Sequence, residues 1–96
     1  MPTYEKDKSF RVDYRRLTPA EKAAFEAAVR KLVHDLRIGV FRKGLRVKRV
    51  QSHPGVWEMT WAADGRATFR YGDSIRPGDP HVVWRRVGSH DIFENP

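Results

Sequence analysis

The sequence contains no cysteine and no long hydrophobic run. Without cysteine the chain cannot form a disulfide bond, supply a thiol nucleophile or build a zinc site on thiolates, and it is compatible with a reducing compartment. No apolar stretch approaches the roughly 18 residues that a membrane-spanning helix needs, and residues 1–9 are too polar for a secretory signal. We therefore expect a cytoplasmic protein.

The chain is also short. Its 96 residues fit a single domain, 1–96, and leave no room for a second. Hydrophobic residues make up 40% of the sequence and include three tryptophans and five phenylalanines, which is enough for a packed core and excludes a disordered chain. Residues 1–8 are mostly polar and charged, so we expect them to form a flexible tail.

Acidic residues are few, and none occurs between Asp35 and Glu58. The chain has 19 Lys and Arg against 12 Asp and Glu, a net charge of +7, and thirteen of its cations are Arg, whose planar guanidinium suits phosphate. A basic patch of this kind indicates a polyanionic partner, most often nucleic acid, whereas the alternative is a solvated surface that aids solubility. The cations of the acid-free segment are Arg37, Arg42, Lys43, Arg46, Lys48 and Arg49.

One long helix has clear start and stop signals. Thr18 can cap it, Pro19 suits the first helical position, and Glu21 completes a capping box. Apolar residues then recur at helical spacing, and Gly39 fits the end of a helix. These signals predict an amphipathic helix from Pro19 to near Ile38, whose apolar stripe packs on a sheet.

The remaining sequence alternates between apolar and polar residues and predicts strands. An N-terminal strand is expected over 10–14, before the helix. The four strands expected after the helix are Leu45–Gln51, Val56–Ala62, Arg66–Tyr71 and His81–Val87, with a tight hairpin at 63–65 and a Gly- and Pro-rich loop at 72–80. This order predicts an α+β fold with the helix, in one piece or split in two, on one face of a four-stranded, mostly antiparallel sheet.

The strand pattern also predicts two different sheet faces, because successive side chains of a strand point in opposite directions. The face toward the helix takes Trp57, Met59, Trp61, Ala67, Phe69 and Tyr71. The opposite face takes Glu58, Thr60, Arg66, Thr68 and Arg70, and Arg46 and Lys48 can join it from the preceding strand. One wet face is common in antiparallel sheets, but this one carries mostly Arg, Lys and Thr, which favours a basic binding surface.

The four histidines lack the spacing of a metal site, and we expect no metal ion and no other cofactor. His90 differs from the others because it stands just past the last strand, where it projects at the end of the sheet beside the basic face. An imidazole can donate or accept a proton near neutral pH, which makes His90 a candidate acid or base. The alternative is a plain surface residue in a terminal loop.

Three segments resemble the C-terminal half of bacterial RelE/ParE-superfamily toxins. They are Trp57–Trp61, Asp64–Tyr71 and Trp84–Phe93, and the last is similar to the Arg-x-Gly-(Ser/Thr)-His…Phe ending of the YafQ-like branch. The resemblance covers about residues 10–93 and implies a RelE-like microbial RNase fold. The sequence departs from the family pattern in two ways. Asp91 and Phe93 stand where several members of the superfamily carry a tyrosine or a further histidine near the C-terminus. The spacing from His90 to Phe93 is one residue shorter than in the YafQ-like pattern.

The resemblance implies the toxin of a type II toxin–antitoxin pair, of the RelE/YafQ/HigB-like mRNA interferase type. Such toxins are endoribonucleases that cut mRNA on the ribosome and need no metal ion. By the match, His90 is the general acid or base and Arg66 holds the scissile phosphate. Glu58 is a candidate base, and Lys48, on the same predicted face as Arg66, is expected to stabilise charge or grip the RNA backbone. His53 is a candidate second titrating group. The residues expected to bind RNA are Lys43, Arg46, Arg49, Arg70 and Phe93.

The resemblance also implies partners, namely a cognate antitoxin with an acidic binding segment, mRNA and the ribosome. Two alternatives stay open at this point. Other members of the superfamily bind DNA gyrase and do not cleave RNA, but a gyrase inhibitor does not require His90 beside convergent Arg and Lys. A basic RNA- or ribosome-binding module without catalysis would tolerate the loss of His90.

Overall fold

A computed structural model describes residues 2–96 of the chain. None of the helices in this part combines the length and apolar character needed to cross a membrane. Two short 3-10 turns supplement the helices and strands, one at Lys43–Leu45 and one at His90–Glu94. In chain order, the elements are β1 (Thr3–Lys6), α1 (Lys8–Arg16), α2 (Pro19–Ile38), β2 (Lys48–Arg49), β3 (Trp57–Thr60), β4 (Arg66–Gly72) and β5 (His81–Gly88).

The strands form one mixed sheet in the order β1-β5-β4-β3-β2. β1 pairs with β5 in parallel, and every other neighbouring pair is antiparallel. The predicted α+β class and the mostly antiparallel sheet are therefore confirmed, and so is helical material on one face. The sheet has five strands, one more than the sequence predicted after the helix, because the N-terminal strand joins the same sheet.

The position of that N-terminal strand was predicted wrongly. Residues 10–14 lie in the helix α1, while the strand is β1, inside the segment expected to be a flexible tail, 1–8 (Met1 lies outside the described residues). In a five-residue alternation, the first and fifth residues also share one face of a helix, so these two positions fit either element. Phe10 and Tyr14 are one helical turn apart, and their rings stack with centroids 6.0 Å apart, so the helix buries the same apolar side chains.

The long helix α2 has the predicted bounds. Thr18 Oγ1 accepts a hydrogen bond from the Glu21 amide at 3.1 Å, and the Glu21 carboxylate accepts one from the Thr18 amide at 2.8 Å, which completes the capping box. Gly39 ends the helix in the left-handed conformation, at a φ of 80°, which glycine adopts without steric cost.

The basic strand predicted at Leu45–Gln51 is mostly not a strand. Only Lys48–Arg49 pairs with β3, and Lys43–Leu45 forms a 3-10 turn. Arg46 then takes a left-handed conformation with a φ of 49°, which interrupts extended backbone at that point.

The core lies between the helices and one face of the sheet. Phe25 of α2 packs edge-on against Trp84 of β5, with ring centroids 5.3 Å apart, and Trp84 in turn contacts Phe69 at 5.4 Å. Met59, Ala67 and Phe69 are fully buried as predicted, and Trp57 and Trp61 pack against them partly buried. Tyr71 lies on the predicted face, since its ring contacts those of Trp57 and Phe69, but it is 40% exposed and is not part of the buried core.

Candidate functional site

The sheet face that points away from the helices, here called the polar face, carries a row of side chains across four strands. The register places Lys48 opposite Glu58, Glu58 opposite Thr68, and Thr68 opposite Arg86. Thr68 was expected in the open but is fully buried, and its hydroxyl makes no hydrogen bond within residues 2–96. The predicted polar face therefore exists, and its centre is covered.

A second row on the polar face leads to the predicted acid or base. Thr60 pairs with Arg66, and Arg66 pairs with Gly88, the last residue of β5. His90 follows two residues later and begins the C-terminal 3-10 turn. The sheet register thus puts the backbone of Arg66 and the start of the His90 turn at the same end of the sheet.

The C-terminal turn folds back over the polar face. The Ser89 hydroxyl accepts a hydrogen bond from the Asp91 amide at 3.2 Å and so starts the turn. Ile92 is buried and rests on Gly88, where an added Cβ would lie 3.1 Å from its Cγ2 atom. Glycine at this position therefore lets the turn approach the sheet closely and fixes where His90 begins.

His90 and Phe93 form a pair within this turn. Their ring centroids are 5.1 Å apart and the ring planes are nearly perpendicular, at 82°. His90 is exposed and Phe93 is half-buried. The structure therefore brings together the proposed proton-transfer group and the aromatic residue predicted to stack on a base.

Arg66 has a fixed position at the tip of the β3–β4 hairpin. Its Nη1 donates hydrogen bonds to the carbonyl oxygens of Ala62, Ala63 and Gly65 at 3.3, 3.3 and 3.0 Å. Its own carbonyl accepts a bond from Trp61 Nε1 at 3.0 Å. These bonds hold the guanidinium at one place, and Nε and Nη2 carry further N–H donors for a ligand.

Glu58 and Lys48 lie side by side, as their strand pairing requires. Lys48 Nζ is 3.8 Å from the Glu58 carboxylate, whose side chain is 14% exposed while that of Lys48 is 65% exposed. At that length the ion pair contributes little to stability. The exposed Lys48 is therefore available for contacts with a ligand, whereas the Glu58 carboxylate is largely covered.

The other predicted site residues are spread more widely. Arg49 lies on the helix side of the sheet, with its guanidinium 5.2 Å from the centre of the Trp57 ring, so it is separated from the polar face. Lys43 and Arg70 are exposed, on the first 3-10 turn and on β4. His53 lies between β2 and β3, with Nδ1 2.8 Å from the Ser52 hydroxyl.

Sequence reasoning assigned no role to Arg86, which forms a charged pair with Asp13 of α1. Arg86 Nε and Nη2 donate to the two Asp13 oxygens at 2.6 and 3.2 Å, and Nη1 donates to the carbonyl of Asn95 at 2.9 Å. Asp13 also accepts the Val87 amide at 3.2 Å, beyond the end of β1. Arg86 therefore joins α1, β5 and the C-terminal segment.

Two further polar clusters were not expected. Asp35 is almost fully buried in α2 and accepts three hydrogen bonds from Arg42, two from the guanidinium and one from the amide. The side-chain bonds of Arg42 are the main reason that the pKa of Asp35 falls to about 2.

His81 is buried at the start of β5, and its two ring nitrogens each lie 2.8 Å from a β1 side chain, those of Thr3 and Glu5.

The sequence matches no family model and no curated protein, but the fold matches solved toxin structures. The Escherichia coli DinJ–YafQ toxin–antitoxin complex contains a similar chain at 13% identity and a TM-score of 0.70, over 94% of this chain and 93% of that one. The YoeB/ParE toxin of Agrobacterium tumefaciens is 15% identical, over 92% and 98% of the two chains, with a TM-score of 0.66. The RelB–RelE complex of Methanococcus jannaschii contains a similar chain at 11% identity, over 94% of each of the two chains, with a TM-score of 0.59. The chain therefore has the fold of the RelE/ParE-superfamily toxins.

Proposed function

We propose that this chain is the toxin of a type II toxin–antitoxin pair and that it cleaves mRNA on the ribosome as an endoribonuclease that needs no metal ion. One observation supports the chemistry most directly. Arg66 pairs with Gly88, and His90 follows Gly88 by two residues, so the backbone positions that carry the cation and the imidazole lie at the same end of the sheet. The similar solved chains from toxin–antitoxin complexes support the biological role.

The reaction uses the 2′-hydroxyl of the substrate as the nucleophile. A base takes the 2′-hydroxyl proton, the 2′-oxygen bonds to phosphorus, and the bond from phosphorus to the 5′-oxygen breaks. An acid then protonates that leaving oxygen, which gives a 2′,3′-cyclic phosphate and a 5′-hydroxyl end. The step needs proton transfer near neutral pH and cations at the phosphorane, where negative charge builds up.

The residues take the following roles in this proposal. His90 is the acid or base, since its exposed ring stands at the end of the sheet. Arg66 holds the scissile phosphate with the donors that its carbonyl contacts leave over. Glu58, flanked by Lys48, is the candidate second base, and Phe93 stacks on a base of the RNA.

The proposed partners follow from the charge of the molecule. A net charge of +7 favours RNA, the ribosome and an antitoxin whose binding segment is acidic. With these partners, the proposed site of action is the cytoplasm.

The deciding experiment maps mRNA 5′ ends by primer extension after induction of the chain in bacteria. New ends that appear within coding regions, and disappear when translation is blocked, are expected. Growth arrest without new ends would contradict the nuclease and favour gyrase inhibition or RNA binding without catalysis. Ends that persist without translation would contradict only the dependence on the ribosome.

A further inference from the structure

A second concave region lies between α2 and the tip of the β3–β4 hairpin, and we call it the helix–hairpin cavity. Its volume is about 560 Å³. On the helix side it is lined by Ala24, Ala27 and Ala28, which share one face of α2 because they are three and four residues apart. Alanines 62 and 63 line the hairpin side. The small side chains on both walls leave room for a ligand.

Four cations line this cavity, one of which, Arg42, is already paired with the buried Asp35, and among the described residues no carboxylate lines it. Lys31 extends the alanine face of α2 by one turn, Arg42 and Arg46 come from the segment after the helix, and Arg66 comes from the hairpin. Concentrated positive charge in a concave site attracts anions more strongly than the same charges on a flat surface. The expected ligand is therefore anionic.

Two of these cations are held in place before any ligand binds. Arg42 is fixed by its bidentate contact with the buried Asp35, at 2.9 and 2.8 Å. Arg66 is fixed by three backbone carbonyls. A ligand that meets preformed cations loses less conformational freedom on binding than one that must order long side chains.

We propose that the helix–hairpin cavity binds backbone phosphates of single-stranded RNA next to the bond that is cleaved, which rests on the proposed function. Continuity with the candidate site favours RNA over an acidic protein segment. Arg66 and Thr60 line the cavity and also form the polar-face row that ends at Gly88, before His90. A strand whose scissile phosphate lies at that end therefore has to pass only these two shared residues, around the hairpin, to reach the cavity.

The test measures binding of a labelled single-stranded RNA whose 2′-positions are all O-methylated, so that it binds but offers no nucleophile. Lys31→Gln and Arg46→Gln each remove one cavity cation. Arg30→Gln is the matched control, because Arg30 is the neighbouring residue on α2 but does not line this cavity; it lines an apolar groove between α2 and β1 instead. Affinities are measured by fluorescence anisotropy at several salt concentrations, with circular dichroism to verify that each variant is folded.

Each cavity variant should bind the methylated RNA about fivefold more weakly than the wild type. It should also lower the slope of log affinity against log salt by about 0.7, because one phosphate contact is lost. The control should keep the wild-type slope. Equal slopes and affinities for all four proteins would overturn the cavity assignment but not the nuclease. The same affinities are also measured with a labelled polyglutamate peptide. If the cavity variants lose affinity only for this peptide, the cavity belongs to an acidic protein segment and the RNA assignment is overturned. Cavity-dependent RNA binding in a chain that cuts no mRNA would overturn the nuclease and keep the cavity.

Discussion

Asp13 of α1 substitutes for a missing strand residue beside Arg86 of β5. β1 ends at Lys6, opposite Trp84, and the Val87 amide would otherwise have no strand to bond. Asp13 accepts that amide at 3.2 Å and pairs with the Arg86 guanidinium at 2.6 Å. One buried carboxylate thus closes the edge of the sheet and fixes the helix that follows β1.

Replacement of Asp13 should therefore be costly. Asp13→Ala leaves a partly buried guanidinium and a backbone amide without their acceptor, so we expect a loss of about 3 kcal/mol in the free energy of unfolding. Urea denaturation at neutral pH measures it, with Asp73→Ala, an exposed loop carboxylate, as the control. A loss no larger than that of the control would contradict the role given to Asp13.

The contrast between α2 and α1 shows what the sequence could predict. The bounds of α2 follow from local signals, because Thr18, Glu21 and Gly39 act on the backbone within a turn of themselves. The Asp13–Arg86 pair spans 73 positions, and no local pattern encodes it. β1 was missed for a similar reason: it is an exposed edge strand, and only its pairing with β5 makes it a strand.

The same distinction applies to the candidate site. Alternation along β3 and β4 assigned Glu58 and Arg66 to one face, and the register agrees. Alternation could not show that Ile92 of the C-terminal turn lies on Gly88, or that Arg66 is bound to the hairpin carbonyls, because both depend on backbone outside the strands. Arg49 was assigned to the RNA-binding set from its charge alone, whereas its neighbour Trp57 determines where it lies.

Gly65 should be essential for the hairpin that carries Arg66. A Cβ at this position would lie 2.5 Å from the Trp61 ring, so Gly65→Ala must displace the indole. We expect a loss of about 1–3 kcal/mol in stability and an altered tryptophan emission spectrum. Gly44→Ala is the matched control, since its Cβ would meet nothing within 4 Å in the described part of the chain, and it should stabilise the protein by about 0.5 kcal/mol. Equal effects of the two substitutions would contradict the close approach of Trp61.

The Asp35–Arg42 pair should give the protein a distinct acid sensitivity. Because the folded-state pKa of Asp35, about 2, lies below its usual 3.8, the unfolded chain takes up the proton first as the pH falls. The stability that this pair contributes is therefore complete above about pH 4 and is lost between about pH 4 and pH 2. Asp35→Asn should be less stable at neutral pH and should show a shallower decline across that range in urea denaturation. An unchanged decline would show that other carboxylates account for it.

His90 and Arg66 should affect toxicity in different ways. In bacteria that express the chain, His90→Ala and Arg66→Ala should each relieve growth arrest, because proton transfer contributes about 10²–10⁴-fold to such reactions and one charge-stabilising donor about 10²–10³-fold. His90→Ala removes an exposed ring, so its RNA affinity and its thermal unfolding should stay at wild-type values. Arg66→Ala removes a phosphate ligand and should also weaken RNA binding.

The control is Arg76→Ala, which removes an exposed cation from the loop between β4 and β5 and should leave the chain toxic. Full toxicity of both site variants at equal expression would rule out this site, and a His90→Ala variant that loses RNA affinity would assign His90 to binding instead of proton transfer.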